Sequence, residues 1–484
     1  MVAKIQDIYL NPPVFVKANT SVYEAVQTMT HQKSSSILVK AGHKIGIVTD
    51  KDIRDHIVLQ RYSIDHPIAD IASYQLISLS PQDLLLHALL VMLRHSIKHL
   101  LIKTNDKIIG VLEQIDLLSH LSNHTRLVAV QIDRAKNKEE LKVASHNMTN
   151  MIRAFNANGI KIKYMMQLIN ELNQQIFKKL YAFIAPPALL ENSCLIIMGS
   201  EGRAEQILKT DQDNGIILRD GFVYEGLEQI TEEFTQTLVD FGYPLCQGKI
   251  MVNNSAWCRS LKDFKNQIFQ WLVECREPLL DLAIFYDAKA VAGDVTLLKE
   301  AKQYLYKHSQ DNQAFFSYFA KPILSFETPL NLFARFIVDK SHENELDIKK
   351  GGIFPMVHGV RSLALAYKIT ETNTMKRIKK LTEIEVFEPV FATDLIEALN
   401  FMISLRLQFQ LKKMKQGLSF RPAGEIYHGS KISPVGRNDK ESYENYIKPS
   451  QLNKLERDLL KDALKIVNDL KKFIIYHFKL DRIT

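Results

Sequence analysis

The pattern of apolar and polar residues changes twice along the chain. Roughly the first 120 residues interleave short alternating segments with amphipathic ones, which predicts strands and helices in quick succession. Residues 122–186 show no alternation, and their apolar positions recur at helical spacing. Strand and helix patterns mix again over residues 187–300, whereas the last third of the chain is helical. These patterns predict a multidomain α/β protein.

An internal repeat organises the N-terminal region. Residues 14–29 recur as 77–92, and residues 44–53 recur as 108–117. Each copy predicts a strand, a helix, two strands and a second helix, so two βαββα units can bury their apolar faces against each other. The repeat resembles a tandem pair of cystathionine-beta-synthase (CBS) domains. That resemblance implies a module that binds adenine nucleotides and regulates an attached domain.

The resemblance also implies regulatory residues in each copy. In the CBS family a glycine, a hydroxyl residue three positions later and an aspartate three beyond it follow the last strand. The first copy matches with Gly46, Thr49 and Asp52, although Thr49 and Asp52 are also residues that simply cap helices. The second copy keeps Asp116 but has Glu113 at the hydroxyl position, where a carboxylate would repel phosphate. We therefore expect one good nucleotide site, in a homodimer formed through the CBS domains.

Candidate chemistry is concentrated after the helical connector. An apolar strand pattern runs into Gly199, Ser200 and Gly202, and a polar helix is predicted to continue to about Lys209. Glycines let the backbone approach a phosphate closely, and Ser200 offers a hydroxyl at a helix N-terminus. The pattern predicts a cradle for a triphosphate.

Two aspartates follow this turn. Asp211 and Asp213 are one residue apart ahead of a second strand pattern, which at a strand edge places both carboxylates on one face. Paired carboxylates hold Mg²⁺ beside nucleotide phosphates. Each half of the pattern is also common in ordinary turns, but together they indicate nucleotidyl transfer with Asp211 and Asp213 as catalytic metal ligands.

The string GSEGRAEQILKTDQDN, residues 199–214, resembles the signature of nucleotidyltransferases with the DNA polymerase beta type of fold. It is most similar to the CBS-associated family DUF294, which is related to PII uridylyltransferase and glutamine synthetase adenylyltransferase. The resemblance implies that Gly199, Ser200, Gly202 and Arg203 belong to the nucleotide-binding site.

The fold normally brings a third carboxylate from a later strand. The strongest candidate is Asp287, because it follows the apolar run 282–286, which is similar to the family's strand ending in an acidic residue. Asp281 and Asp294 are alternatives, and a capping role is the other interpretation of Asp287. In the C-terminal region Lys349 and Lys350 precede two glycines and could close over phosphates, unless they form a solvated basic loop.

Composition excludes some classes of protein. The chain has 484 residues, 46% apolar and 24% charged, which is typical of a soluble folded protein with roughly three domains. Its four cysteines form no CxxC pair, so we expect no zinc site or disulfide framework and a cytoplasmic location. No apolar run is long enough for a membrane span. The net charge of +8 favours anionic partners only weakly, and we expect no nucleic-acid binding.

We therefore expect a tandem CBS pair (1–121), a helical connector (122–186), a polymerase-beta-type nucleotidyltransferase domain (187–300) and a C-terminal helical bundle (301–484). The hypothesis is transfer of a nucleoside monophosphate from a nucleoside triphosphate, with Mg²⁺, to an unknown acceptor. The resemblance favours a protein hydroxyl as the acceptor, while a small molecule or an RNA end stays open. The alternative is a non-catalytic nucleotide-sensing interaction protein with a vestigial transferase site.

Overall fold

The computed structural model describes residues 4–8, 10–32, 34–95, 97–105, 107–114, 123–157, 159–274, 279–309, 313–331, 335–339, 344–415 and 445–482. Two compact units divide the chain, Met1–Ala129 and Val130–Thr484. Within the described residues no helix is both long enough and apolar enough to cross a membrane.

The N-terminal unit contains the same three-stranded sheet twice. In each copy the first strand is parallel to the second, and the third is antiparallel to the second. The first copy has β1 (Phe15–Lys17), β2 (Ser36–Ala41) and β3 (Lys44–Thr49) with helices Val22–Gln32 and Asp50–Ile53; the second has β4 (Ser78–Leu79), β5 (His99–Thr104) and β6 (Lys107–Glu113) with helix Leu85–His95. The predicted duplication is confirmed.

Alternation along the strands explains how this unit packs. Val22, Ala25 and Met29 lie on one face of the first helix and are buried against Val39 and Val48 of the sheet. Leu38 points to the other side, where it packs with residues of the second copy. The two repeats thus share a core, as their pattern predicts.

The connector is helical, as predicted, with helices Asn123–Arg134, Lys138–Ala157 and Ile162–Ile184. Met148, Met151, Ile152 and Phe155 are all buried on one face of the second of these helices. The methionines therefore fill the core rather than bind a ligand.

A four-stranded sheet follows the connector, with the order β10-β7-β8-β9. β8 and β9 are parallel, and the other two pairs are antiparallel. The strands are β7 (Ser193–Ile197), β8 (Asn214–Leu218), β9 (Cys258–Ser260) and β10 (Lys289–Gly293); the helices are Pro187–Glu191, Gly199–Gly202, Leu227–Asp240, Leu261–Glu274, Leu280–Tyr286 and Val295–His308.

One expectation about this sheet is wrong. The apolar run 282–286 lies in the helix Leu280–Tyr286, and the strand begins only after Asp287. All six residues from Leu282 to Asp287 are buried, so no polar face shows a helical or a strand period. A short, wholly apolar run does not distinguish a helix from a strand.

The rest of the chain is mainly helical. Five α-helices form it among the described residues, and a two-stranded ribbon joins β11 (Leu346–Asp347) to β12 (Tyr446–Ile447). The helices are Gln313–Ala320, Phe354–Ala366, Thr374–Glu383, Pro389–Lys415 and Lys454–Phe478, and a π-helical turn, Lys349–Ile353, precedes the second.

Candidate active site

The glycine turn is in direct contact with Asp213 of the acidic pair. Gly199 has a φ of +55°, and a Cβ added there would overlap the Oδ2 atom of Asp213. The Met198 amide donates to the Asp213 carbonyl at 2.8 Å, which fixes the turn to the segment that carries both aspartates. Gly199 is therefore required for the approach of Asp213, whatever it also does for a phosphate.

The helix after the turn is shorter than predicted. It spans only Gly199–Gly202, because Ala204 takes a φ of +58° and the Ser200 carbonyl accepts from both the Glu205 and the Gln206 amides. The prediction of a helix to about Lys209 is wrong. A sequence pattern does not reveal this exit, since Ala204 is an unusual residue for the left-handed conformation.

Gly202 has a packing role in this turn. A Cβ at Gly202 would overlap the carbonyl oxygen of Asp287, and it would lie 3.0 Å from that of Ile197. Its predicted part in nucleotide binding remains a prediction, because the contacts in the structure are with the protein backbone.

Neighbouring side chains hold each carboxylate of the pair. Asp211 Oδ1 accepts from Gln206 Nε2 at 3.3 Å and from Thr210 Oγ1 at 3.2 Å. Asp213 accepts from the Cys246 thiol. Burial, followed by the charge of Asp211, raises the pKa of Asp213 to about 7. Two partly buried carboxylates whose charges repel each other favour a proton or a cation between them.

Two basic residues oppose this acidic pair. Lys349 and Arg203 both lower the pKa of Asp213, so both lie near it. Lys349 reaches the site from the C-terminal region. Lys350 does not: its amide donates to Asp347 Oδ1 at 2.8 Å, and its Nζ lies 5.9 Å from the Phe326 ring centroid.

The two glycines after Lys350 pack against the helical domain. A Cβ at Gly351 would overlap Pro329, and one at Gly352 would lie 2.6 Å from Met402 Sδ. Close packing, not phosphate approach, accounts for them. The structure therefore separates Lys349 from the rest of the predicted Lys-Gly loop.

Sequence reasoning missed Glu201. Its side chain is 3% exposed, Oε1 accepts from Asn173 Nδ2 at 3.4 Å, and no described group donates to Oε2. Burial, then Asp211 and Asp213, raise the pKa of Glu201 well above its usual value. Its position inside a predicted polar helix gave no signal of burial, so only the structure places it behind the pair.

The side chains around the acidic pair provide part of a binding site for a hard divalent cation such as Mg²⁺. Among the described residues no three histidine, cysteine or acidic side chains converge on one metal position. Asp211 and Asp213 can supply two carboxylate groups, and the buried Oε2 of Glu201 has no hydrogen-bond partner among the described residues. Mg²⁺ commonly binds through one or two carboxylates together with substrate phosphates, and this donor set matches that arrangement.

Asp287 occupies a different environment from the one predicted. It is fully buried, and its Oδ2 accepts from Arg361 Nη2 at 2.6 Å and from Arg203 Nη1 at 2.9 Å. Its Oδ1 accepts from Arg377 Nη1 at 2.7 Å. Although burial opposes them, Arg361, Arg377 and Arg203 hold the pKa of Asp287 well below its usual range. These contacts leave no free carboxylate oxygen for a metal.

Of the two alternatives to Asp287, Asp294 already has hydrogen-bond and ion-pair partners, and Asp281 lies in a helix. Asp294 caps the helix Val295–His308, accepting from the Thr296 amide at 3.0 Å, and pairs with Arg219 at 2.6 Å. Asp281 lies in the first turn of the helix Leu280–Tyr286. Residues 242–261, which lead into the strand beside β8, contain no Asp or Glu.

In the N-terminal unit the predicted regulatory residues form a helix cap. Asp52 Oδ2 accepts from the Thr49 amide at 2.8 Å and from Thr49 Oγ1 at 2.7 Å. Thr49 pairs with Ser36 across the sheet, and Glu113 pairs with His99 at the equivalent place in the second copy. Asp116 lies outside the described residues.

Three profiles of known protein families match parts of this chain. A CBS domain profile matches residues 5–59 and 68–123, and "Putative nucleotidyltransferase DUF294" matches residues 146–277. "Putative nucleotidyltransferase substrate binding domain" matches residues 313–422 and 435–478. The chain belongs to the DUF294 family. The predicted fold class, a CBS pair followed by a nucleotidyltransferase domain and C-terminal helices, is confirmed.

Individual relatives and solved structures match about a quarter of this DUF294 protein. An uncharacterized protein of Methanocaldococcus jannaschii is 28% identical over 116 residues, 23% of this chain, and the chain spans 62% of that relative's length. A conserved uncharacterized protein from Pyrococcus horikoshii is 30% identical, with 25% of this chain and 92% of that one covered and a TM-score of 0.24. A CBS domain protein from Pyrobaculum aerophilum, complexed with AMP, is 23% identical, with 23% and 88% covered and a TM-score of 0.22.

Proposed function

We propose that this protein transfers a nucleoside monophosphate from a nucleoside triphosphate to an acceptor hydroxyl and releases pyrophosphate. The observation that carries the proposal is the contact of Asp213, one member of the acidic pair, with Gly199, near the positive charges of Lys349 and Arg203. The carboxylates and the two basic residues provide the opposed charges that a metal-bound triphosphate needs.

The proposed reaction forms a bond between the acceptor oxygen and the α-phosphorus and breaks the bond to the β-phosphate. Asp211 and Asp213 would hold Mg²⁺, which would neutralise charge on the phosphates. Lys349 and Arg203 would orient the triphosphate by charge-assisted hydrogen bonds. The resemblance of residues 199–214 to a family related to PII uridylyltransferase and glutamine synthetase adenylyltransferase favours a protein as the acceptor.

Incubation with each labelled nucleoside triphosphate, alone and in lysate, tests the proposal. Asp211→Asn and Asp213→Asn should each abolish Mg²⁺-dependent labelling, because losing a metal ligand costs several kcal/mol of transition-state stabilisation, on the order of a thousandfold or more in rate. Asp240→Asn, an exposed change in the same domain, is the control. Wild-type rates in both site variants would show that the site is assigned wrongly.

We also propose that the CBS pair regulates transfer by binding one adenine nucleotide at Thr49 and Asp52 of the first copy, while Asp116 belongs to the weaker site of the second copy. The support is that Thr49 and Asp52 lie together at the start of the helix Asp50–Ile53, where the CBS resemblance places the nucleotide-binding residues. Assembly through the CBS domains belongs to the same proposal, and light scattering of the purified protein would test for a dimer.

The second candidate function is a non-catalytic nucleotide sensor. It is favoured by the engagement of Asp287 with three arginines, which removes the predicted third carboxylate. Binding of nucleotide to the transferase region with no transfer to any acceptor in lysate would support it.

A further inference from the structure

The guanidinium of Arg203 is held on two edges by carboxylates. Its Nε donates to Glu205 Oε2 at 2.7 Å, and its Nη1 donates to Asp287 Oδ2 at 2.9 Å. No described group accepts from its third nitrogen, Nη2. The side chain is 11% exposed and lies close enough to Asp213 to lower the pKa of that carboxyl. Two fixed nitrogens leave the planar group no freedom to turn.

The C-terminal helices hold both of these carboxylates. Asp287 is bound by Arg361 and Arg377, which lie on the helices Phe354–Ala366 and Thr374–Glu383. Glu205 Oε1 accepts from the Thr374 amide at 2.7 Å. Each carboxylate therefore links Arg203 to the helical domain.

Residues of the same segment of the helical domain also donate hydrogen bonds to the backbone of the glycine turn. Asn373 Nδ2 donates to the Arg203 carbonyl at 3.0 Å, and Thr372 Oγ1 donates to the Gly202 carbonyl at 2.9 Å. The backbone of the turn at Arg203 is thus fixed by residues 170 positions later in the sequence.

The cluster also retains positive charge. Three guanidinium groups, those of Arg203, Arg361 and Arg377, form ion pairs with the two carboxylates of Asp287 and Glu205. Among these five groups one positive charge is in excess, and Arg203 carries positive charge to the neighbourhood of Asp213. Nη2 of Arg377 also has no acceptor but belongs to a fully buried side chain, whereas the Arg203 side chain is partly exposed, so Nη2 of Arg203 is the donor available to an anion at the acidic pair.

We propose that Asp287 and Glu205 are positioning residues, which aim Nη2 of Arg203 at the phosphates of the bound nucleotide and make that aim depend on the C-terminal helical domain. This inference rests on the proposed function and assigns Asp287 a role other than metal binding. It also gives the helical domain a direct effect on how the triphosphate is held. A protein acceptor that shifts these helices would change the position of Arg203 and with it the affinity for the nucleotide.

A double-mutant cycle tests whether Glu205 acts through Arg203. The probes are Mg²⁺ with inorganic tripolyphosphate and with the α,β-methylene analogue of each nucleoside triphosphate, and dissociation constants are measured by calorimetry. Arg203→Met should weaken binding roughly 10- to 100-fold, as loss of a charge-assisted hydrogen bond does. Glu205→Gln should weaken it by a smaller factor, roughly 3- to 10-fold, since the guanidinium stays but loses its aim.

In the Arg203→Met background, Glu205→Gln should have almost no further effect on affinity, because no guanidinium remains to be aimed. Glu233→Gln, which removes the charge from an exposed ion pair with Lys138, is the matched control and should not change affinity. Glu205 is chosen because Asp287→Asn would leave three arginines around a neutral side chain and can fail to fold. Thermal unfolding of every variant checks that the fold is intact.

The outcomes separate this inference from the proposed function. Independent, multiplicative losses in the cycle would overturn the positioning role, as would a Glu205→Gln variant with wild-type affinity. Binding with a non-additive cycle but no transfer activity would support the positioning role and contradict the transferase. No binding of any probe to the wild-type protein would overturn both.

Discussion

Because Gly199 has no Cβ atom, the carboxylate of Asp213 can lie directly against the glycine turn. Gly199 adopts a left-handed φ, and its Hα side faces the carboxylate of Asp213. The sequence pattern identified Gly199 as important, but it assigned the reason to phosphate approach. The structure adds a nearer cause, since the carboxylate already fills the space that a side chain would need.

Gly199→Ala should therefore damage the site more than the fold. The left-handed conformation alone costs about 1–2 kcal/mol for a non-glycine residue. Gly221→Ala is a matched control, because Gly221 has a φ of +78° and nothing within 4 Å of an added Cβ. Both variants should lose similar stability in thermal unfolding, while only Gly199→Ala should lose transfer activity, by roughly 100-fold or more if a metal ligand moves. Equal activities in the two variants would contradict this account of Gly199.

A buried lysine beside the arginine cluster makes stability depend on pH. Burial, then Arg377, lowers the pKa of Lys302 to about 7, and its Nζ donates to the Tyr286 carbonyl at 3.2 Å. In the unfolded chain lysine titrates near 10.4. Between about pH 7 and pH 10.4 the unfolded state binds more protons, so this residue makes stability rise with pH in that window.

Lys302→Met should remove that dependence. The melting temperature should rise at pH 6.5, where the charged ammonium is buried, by roughly 2–4 °C for each kcal/mol recovered. The gain should shrink toward zero by about pH 10, where the native lysine is already neutral. Lys299→Met, an exposed change on the same helix, is the control and should be neutral at both pH values. A gain that is the same at both pH values would rule out protonation as the cause.

The sequence pattern points to some residues of the candidate site, whereas only tertiary packing places the others. Asp211, Asp213 and Gly199 were predictable, because their spacing places them at adjacent ends of two neighbouring strands. Lys349 and Lys350 are adjacent in sequence, and only tertiary packing decides that the first faces Asp213. Glu201 carries no sequence signal for burial, since a polar residue between glycines is usually exposed.

At the level of elements, patterning succeeded wherever one face is polar. The first helix of the repeat and the connector helix Lys138–Ala157 were predicted because each has one buried face. It failed at the helix Leu280–Tyr286, which is buried on all sides, and at the exit from the helix Gly199–Gly202. Both failures lie where tertiary contacts with the C-terminal helices determine the backbone, and no local pattern encodes such contacts.

The two CBS repeats should differ in nucleotide binding. Glu113 takes the place of Thr49, and burial lowers the pKa of the adjacent His99, which is therefore neutral at pH 7 and offers no compensating charge. Repulsion between a carboxylate and a phosphate at such distances costs about 1–4 kcal/mol, or up to roughly a thousandfold in affinity.

Calorimetry with AMP, ADP and ATP should thus give a stoichiometry near one at the CBS module. Asp52→Ala should weaken this site, and Glu113→Thr is the change that should open a second one. Two equal sites in the native module would refute the electrostatic argument. No binding at all would leave the repeat as a platform for dimerisation.

At the level of the whole molecule, the connector provides contacts with the transferase site. The chain passes from the CBS repeat into helices that touch the site: Lys209 Nζ donates to the Ser145 carbonyl of Lys138–Ala157 at 2.7 Å. From Ile162–Ile184, Asn173 donates to Glu201. A movement of these helices would therefore change the hydrogen bonds of Lys209 and Glu201, which lie near the acidic pair.

Binding at the CBS module should consequently be coupled to binding at the transferase site. Coupling of about 1–3 kcal/mol corresponds to a 5- to 150-fold change in affinity, and thermodynamic linkage makes it reciprocal. Saturating AMP should change the affinity for the α,β-methylene analogue of the preferred nucleotide by such a factor, and the analogue should change the affinity for AMP equally. In Asp52→Ala both effects should disappear while the analogue still binds. If AMP binds to the wild-type protein and the analogue's affinity is the same with and without it, the CBS pair does not regulate this site, because an effector without coupling free energy shifts no equilibrium.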